Sequence, residues 1–543
     1  MTEATTGEWW RGCVIYQIYP RSFQDTTGDG SGDLRGVARR LSHVASLGAD
    51  AIWLSPFFKS PMADMGYDVS DYRAVDPMFG TMADFDALVA VAHRLGLKVI
   101  IDQVLAHTSD RHDWFVESRS SRGNDKADWY VWADARPDGT APNNWLSVFG
   151  GPAWEWDATR RQYYLHNFLA AQPALNFHNG AVQDALLDDV RFWLDRGVDG
   201  IRLDTVNYYF QDRWLRSNPP LPESVAGTID QTSTYLYQEH LFDKTQPENL
   251  DFLRRLRAVL DHAGGRAAVG EIGDEDRSLR TLAAYTSGGD TLNMCYTFDM
   301  LGGDFSAAHV RGCVEAFERG APDGWVCWAF SNHDVVRHVT RWTRPGGDPI
   351  AVAKFAIELL ACLRGSICLY EGEELGLEEA ELAYADLRDP VGIRFWPGNK
   401  GRDGCRTPMV WERDSPNAGF SNGKPWLPVP DSQRARAVDV QAPDVNSVLT
   451  HYRAVLGIRR AHPALVRGSI RFLDAGDDLL AFVREGEGEK LLCVFNFGDG
   501  TADWPMPRDL GPVEAVDFAG YGASLRQGAI SLPGLRAFIG QLG

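Results

Sequence analysis

A chain of 543 residues is too long for one compact core, so two or three domains are expected. Its 44% apolar and 24% charged residues are ordinary for a soluble globular protein, and a net charge of −20 argues against nucleic acid and anionic membranes as partners while suiting a neutral substrate. No run approaches the ~18 apolar residues of a membrane span, and Met1–Glu8 has neither the basic start nor the apolar stretch of a secretory leader.

Short apolar, β-branched runs then follow one another, each running into polar residues. Cys13–Pro20 is the first, and the loop after it, Asp25-Thr-Thr-Gly-Asp-Gly-Ser-Gly-Asp33, sets oxygens at positions one, three, five and nine. Its glycine at position six permits a sharp turn, and Ser31 offers a carbonyl at seven; this is the spacing of a calcium loop, with Asp25, Thr27, Asp29, Ser31 and Asp33 as ligands. Position twelve is Gly36 rather than a bidentate Glu, so the ligation expected is EF-hand-like without the EF-hand. Calcium is the expected ion, with magnesium as its alternative.

The next strand candidates are Ala49–Pro56, Leu97–Val104, Val198–Asp204, Ala267–Ile272, Leu292–Phe298, Trp325–Ser331 and Ser366–Glu371. Helical patterns such as Met82–Leu95, Ala181–Arg196, Asn249–Ala263 and Ile350–Leu363 lie between them. Eight strands alternating with helices favour an α/β protein built as a (β/α)8 barrel over an open doubly wound sheet, and no glycine-rich phosphate loop follows the first strand. The spacing predicts barrel segments at 1–106 and 178–463, an inserted subdomain at 107–177 after strand three, and a long loop region at 372–443. The short alternating runs after residue 464 predict a C-terminal antiparallel β domain over 464–543.

Four strings sit where strands end: Asp102-Gln-Val-Leu-Ala-His107, Gly200-Ile-Arg-Leu-Asp204, Gly270-Glu271 and Ser331-Asn-His-Asp334. The C-terminal end of the strands is the catalytic face of such a barrel. Carboxylates and histidines from several strands would meet there, which is what glycoside hydrolysis requires: two carboxylates flanking a bond and polar groups to hold the sugar. Eighteen Trp could supply flat platforms for sugar rings, although core packing is the commoner use. The eight cysteines form no Cys-x-x-Cys pair and mostly lie in apolar runs, so buried free thiols and a cytoplasmic location are expected.

With Val14-Ile-Tyr-Gln-Ile-Tyr-Pro-Arg-Ser-Phe23, Gly66-Tyr-Asp-Val-Ser-Asp-Tyr72 and Gly401-Arg-Asp-Gly-Cys-Arg-Thr-Pro408 added, the chain resembles glycoside hydrolase family 13, the α-amylase superfamily, over nearly its whole length. Within it the likeness is to the α-glucosidase and oligo-1,6-glucosidase group. The resemblance implies Asp204 as nucleophile, Glu271 as acid and base, and Asp334 as a third carboxylate that holds sugar hydroxyls. It implies His107 and His333 on the same ring, and Tyr67, Asp68 and Arg402 closing the non-reducing end. Arg202, two residues before Asp204 on one strand face, is expected to keep Asp204 ionised, whereas Val269 and Ile272 suit a raised pKa at Glu271.

The activity implied is that of a retaining, exo-acting α-glucosidase on small α-glucosides such as maltose. Thr205, after the nucleophile, accompanies α-1,4 preference in this group. Other readings are an oligo-1,6-glucosidase, a sucrose-active glucosyltransferase, a trehalose-6-phosphate hydrolase, and the inactive family-13 domain of amino-acid-transporter heavy chains. The last would have lost catalytic carboxylates and carry a membrane span. Where the family's first motif commonly ends in Asn-His, this chain has Ala106-His107, so the interdomain calcium site of classical α-amylases is not expected.

Overall fold

The computed structural model describes residues 8–222, 233–516, 522–526 and 528–543. Eight parallel strands form its centre: β1 (Val14–Ile18), β2 (Ala51–Leu54), β3 (Lys98–Gln103), β4 (Gly200–Leu203), β5 (Ala267–Ile272), β6 (Met294–Thr297), β7 (Cys327–Ala329) and β8 (Ser366–Tyr370). Every strand pairs with its sequence neighbours, and β8 pairs with β1 through Val14↔Ile367 and Ile15↔Cys368. The parallel bridge Cys295↔Val326 joins β6 to the start of β7 and closes the barrel.

A helix follows each strand: Leu34–Leu47, Met82–Arg94, Gly180–Asp195, Asn249–His262, Ser278–Thr286, Ala307–Gly320, Pro349–Cys362 and Val448–Ala461. Their starts are fixed locally. Thr81 and Asp84 form a reciprocal capping box, Asp33, Asn179, Ser306 and Ser447 cap backbone N–H groups, and Pro349 stands in a first turn where its missing N–H costs nothing. Ile15, Ala51, Trp53, Ile100, Val269, Met294 and Cys327 pack inside the barrel, and a larger apolar layer lies between strands and helices. Gly200 is required by that packing, since a Cβ there would stand 2.9 Å from the Ala267 carbonyl oxygen.

Between β3 and its helix the chain builds a small three-stranded antiparallel sheet from Trp132–Ala133, Gln162–Leu165 and Trp154–Asp157. The bridges His107↔Ala174 and Tyr130↔Leu175 tie its neighbourhood to the barrel mouth. The excursion after β8 folds as short helical turns, including Pro390–Phe395 and Val438–Gln441. Among the described residues from Ser469 onward the strands are antiparallel, in a five-stranded and a three-stranded sheet. Among the described residues no helix is long and apolar enough to cross a membrane.

Candidate active site

Arg202 organises the barrel mouth. Its side chain is fully buried and lies 4.9 Å from the centre of the Trp53 ring. Nη1 donates to Asp102 Oδ1 at 2.8 Å and to Asp204 Oδ1 at 2.7 Å, while Nη2 donates to the Tyr296 hydroxyl at 2.8 Å and lies 2.6 Å from Glu271 Oε1. Tyr296, on β6, donates its own proton to Glu271 Oε1 at 2.7 Å. One guanidinium thus spans carboxyls from β3, from the end of β4 and from β5.

One positive charge among three buried carboxyls cannot keep all of them ionised. Burial, the largest cause, raises both Asp204 and Glu271 to about 7, with Arg202 the largest opposing influence. The charge of Asp204 is among the causes that raise Glu271, so one proton between the two carboxyls is favoured. Arg202 meets Asp204 as expected and favours its charge, but the guanidinium is shared with two other carboxyls and burial opposes it. Asp334, on the loop after β7, is different. Burial opposes its charge, but the Arg402 and Arg406 guanidiniums hold its carboxyl well below the usual range. Arg406 Nη2 donates to Asp334 Oδ1 at 2.9 Å and Arg402 Nη1 at 3.2 Å.

Thr205 adopts φ 40° and ψ 50° directly after Asp204. A β-branched residue is strained in that left-handed region, and such strain gathers at functional sites. The conformation aims the Thr205 N–H at Glu271 Oε2, 3.2 Å away, and its hydroxyl at Asp204 Oδ2, also 3.2 Å away. Gly270 admits no side chain beside Glu271, because a Cβ would lie 2.7 Å from Leu292 Cδ1 and 2.9 Å from the Cys295 sulfur.

His333 is neutral, since burial drives its pKa well below the usual value. Its Nδ1 faces the Gln17 amide at 2.7 Å, and its Nε2 faces Asp334 Oδ2 at 3.2 Å and the Tyr67 hydroxyl. The Tyr67 ring stacks on it with centroids 5.3 Å apart. Burial also lowers His107, to about 4; its Nε2 donates to the Tyr67 carbonyl at 3.0 Å, and its buried Nδ1 has no protein partner.

Asp68 does not meet Arg402. Its carboxylate accepts from the Ser60 hydroxyl and from the backbone N–H of Ala63 and Asp64, so it folds the turn. Asp64 instead receives Arg402 Nη2 at 2.8 Å and the Gln172 amide at 3.1 Å. Arg402 is anchored in turn by Asp389. Sequence reasoning missed Asp64, Tyr296 and Arg406. The signal for Asp64 was its place three residues before Tyr67, and Arg406 lies within the string that supplied Arg402. Tyr296 carried no local signal beyond its place on a strand.

The Asp25–Asp33 loop is held by its own hydrogen bonds. Asp25 accepts from the N–H of Thr27, Gly28 and Gly30 and from the Ser421 hydroxyl. Burial opposes its charge, but these bonds hold its pKa below the ordinary carboxylate value. Asp33 accepts from the N–H of Thr26 and Gly36, and Asp29 from that of Ser31. These bonds take up some of the loop's carboxylate lone pairs and leave others open to a ligand. Among the described residues no group of three or more His, Cys, Asp or Glu is placed to hold a metal ion.

Residues 17–468 match the alpha amylase catalytic domain, and residues 470–506 match the alpha amylase C-terminal all-beta domain. A probable alpha-glucosidase of Rhizobium meliloti (strain 1021) is 59% identical over 540 residues, covering 98% of this chain and 97% of that one. An oligo-1,6-glucosidase of Heyndrickxia coagulans is 37% identical, covering 92% of this chain and 94% of its own. The crystal structure of the alpha-glucosyl transfer enzyme XgtA superposes with a TM-score of 0.95 at 55% identity, over 98% of this chain and 99% of that one.

Proposed function

The chain belongs to the α-amylase family of glycoside hydrolases, and we propose that within it this enzyme is a retaining, exo-acting α-glucosidase that also passes glucose to sugars or alcohols. One observation carries the reading: Arg202 bonds Asp204 with one terminal nitrogen and Glu271 with the other, which places a nucleophile and a proton donor side by side. A short span between the carboxyls, ~5–5.5 Å, goes with a covalent intermediate, whereas ~6.5–9.5 Å leaves room for water.

In the first step the Asp204 carboxylate attacks the anomeric carbon. The C1–O bond breaks, and the pair's proton passes from Glu271 to the leaving oxygen. In the second step Glu271 takes a proton from water, or from an acceptor hydroxyl. The oxygen thus activated attacks C1 and releases Asp204. Two inversions return the α-anomer. The ionised Asp334 and the neutral His333 and His107 supply groups for ring hydroxyls. Asp64 and Arg402 close the non-reducing end, which favours removal of one terminal glucose. The likeness to a glucosyl transfer enzyme supports transfer as a second outcome of the glucosyl-enzyme.

Thr205 supports α-1,4 over α-1,6 preference, because its hydroxyl changes the polarity where the second sugar approaches. One such group is worth ~1–3 kcal/mol of discrimination, or ~10–200-fold. Eight free, buried thiols suit a reducing cytoplasm. For the Asp25–Asp33 loop we infer bound Ca2+, with Mg2+ as the competing ion. The oxygen spacing supports this.

Time-resolved NMR of products from maltose, isomaltose, sucrose and trehalose tests the proposal. α-Glucose is expected first, with kcat/KM for maltose above that for isomaltose and Thr205→Val shifting the ratio toward isomaltose. β-Glucose as first product overturns retention. An isomaltose value equal to or above that for maltose overturns the linkage preference.

A further inference from the structure

The backbone of Gly273, two residues beyond Glu271, is held from two sides. The Asn207 side chain, three residues beyond Asp204, donates from Nδ2 to the Gly273 carbonyl at 3.0 Å and accepts the Gly273 N–H on Oδ1 at 3.3 Å. Lys244 Nζ donates to the same carbonyl at 2.9 Å. Both side chains are buried, and both are themselves fixed. Asn207 Nδ2 also reaches the Thr245 hydroxyl, and the Thr245 N–H donates to the Asn207 carbonyl at 2.6 Å. The Lys244 ammonium also contacts Glu275 Oε1 at 2.7 Å and the hydroxyls of Tyr235 and Tyr208 at 3.0 and 3.3 Å.

The exits of β4 and β5 are therefore stitched together at the backbone of one residue, Gly273. On the β4 side Asn207 and Tyr208 belong to the 3-10 turn Val206–Tyr208, which starts from the strained Thr205. On the β5 side Gly273 follows the strand that carries Glu271. With all its protons taken up by protein oxygens, Lys244 has none to spare for a substrate, and Asn207, within the turn, has no exposed surface. Burying an ammonium and an amide is costly unless they are fully bonded, and here that bonding converges on the turn after the acid–base candidate.

We propose that Asn207 and Lys244 are positioning residues that set the separation and relative orientation of Asp204 and Glu271, acting through the Gly273 peptide. The inference rests on the two-step reading given above. A carboxylate displaced by about 1 Å can cost ~10²-fold in rate. Loosening the Gly273 peptide should therefore slow both glucosyl transfer steps while leaving the sugar's hydroxyl contacts, which lie on other loops, in place.

The test compares wild type with Asn207→Ala, the near-isosteric Asn207→Asp, Lys244→Met and the double variant Asn207→Ala/Lys244→Met. Asn207→Asp keeps the acceptor for the Gly273 N–H but sets an oxygen against the Gly273 carbonyl. Active sites are counted by trapping with 5-fluoro-α-glucosyl fluoride, so that rates refer to folded enzyme. The expected result is a kcat lowered ~10–100-fold per titrated site with KM within ~3-fold. The deficit should be larger on maltose than on p-nitrophenyl α-glucoside, whose leaving group needs less protonation, and the alkaline limb of the pH profile should move. Because both residues act through one peptide, the double variant should be no slower than the slower single variant.

A kcat per site within 2-fold of wild type in the folded variants overturns the proposal. So does a loss that falls equally on both substrates with an unchanged pH profile, because that marks a purely structural role. A wild type that neither turns over maltose nor is trapped overturns the parent reading along with it. Normal trapping in wild type with unaffected variants defeats the positioning role alone.

Discussion

A carboxylate on a pocket wall can serve a sugar only while one of its oxygens remains open to a hydroxyl, and Asp64 and Asp68 differ in that respect. Asp68 is spent on Ser60 and on the backbone of its own turn, whereas Asp64 meets only the side chains of Arg402 and Gln172. Asp64→Asn should therefore lower kcat/KM for maltose by ~10–100-fold, the worth of a charge-assisted hydrogen bond, with little change in melting temperature. Asp68→Asn should do the reverse: it should lower the melting temperature by several degrees and raise KM less than Asp64→Asn does. Steady-state kinetics and thermal melts of the two variants decide this, and equal kinetic penalties would remove the distinction. The exchange of roles also shows where the sequence stops informing. Gly66-Tyr67-Asp68 announces a functional turn, but which of two nearby carboxylates faces inward depends on how the turn is hydrogen-bonded. Asp204, Glu271 and Asp334 were legible because the first two lie at strand ends and the third closely follows one, and strand ends converge by geometry. Tyr296 was not, because a tyrosine on a buried strand looks like core until its hydroxyl is seen against Arg202 and Glu271.

Elements were legible where pattern and pairing coincide. β5 runs over the predicted residues Ala267–Ile272, while β1 stops at Ile18 because Pro20 opens a short helix. The loop between β1 and its helix shows what spacing alone leaves out. Its oxygens lie at calcium-loop intervals, yet the loop is also stitched to a segment 400 residues away: the Asp25 N–H donates to the Phe420 carbonyl, and the Trp426 N–H to that of Gly30. Gly30, at φ 95°, admits no side chain, since a Cβ would meet the Lys424 carbonyl oxygen at 1.8 Å. A divalent ion here would brace the barrel against the excursion after β8 and would take no part in the chemistry. Chelator should then lower the melting temperature by a few degrees, added Ca2+ should restore it, and kcat at low temperature should be unaffected. An unchanged melt and a purified protein free of divalent metal would leave the loop as the self-bonded turn described above.

At the scale of the whole molecule, the alternation of strands and helices predicts a barrel, but the groups that lock its seam are a matter of tertiary packing. Beyond β8, Glu373 and Glu374 turn inward. The Tyr452 hydroxyl, from the last barrel helix, donates to Glu373, and the Tyr16 hydroxyl, from β1, donates to Glu374, so the turn joins the first and last units of the fold. Burial is the largest cause pushing Glu373 up to about 8, from an ordinary unfolded value of ~4.3. The folded state therefore binds a proton that the unfolded chain gives up at neutral pH. For a raised carboxyl pKa, that contribution to stability is complete below the unfolded value and is lost as pH rises through the folded one. Asp204, Glu271 and Glu379, each raised to about 7 with burial as the largest cause, act in the same direction over a slightly lower range. The melting temperature should accordingly fall between pH 5 and 8. Glu373→Gln, which cannot ionise, should remove its share of that fall over the whole interval from the unfolded value of ~4.3 up to about 8, and above pH 7 the difference from wild type should be easiest to read. Differential scanning calorimetry of both proteins across that range gives the answer: parallel curves above pH 7 would show that Glu373 is already ionised in the folded enzyme, and that its burial at the seam is met by partners other than a proton.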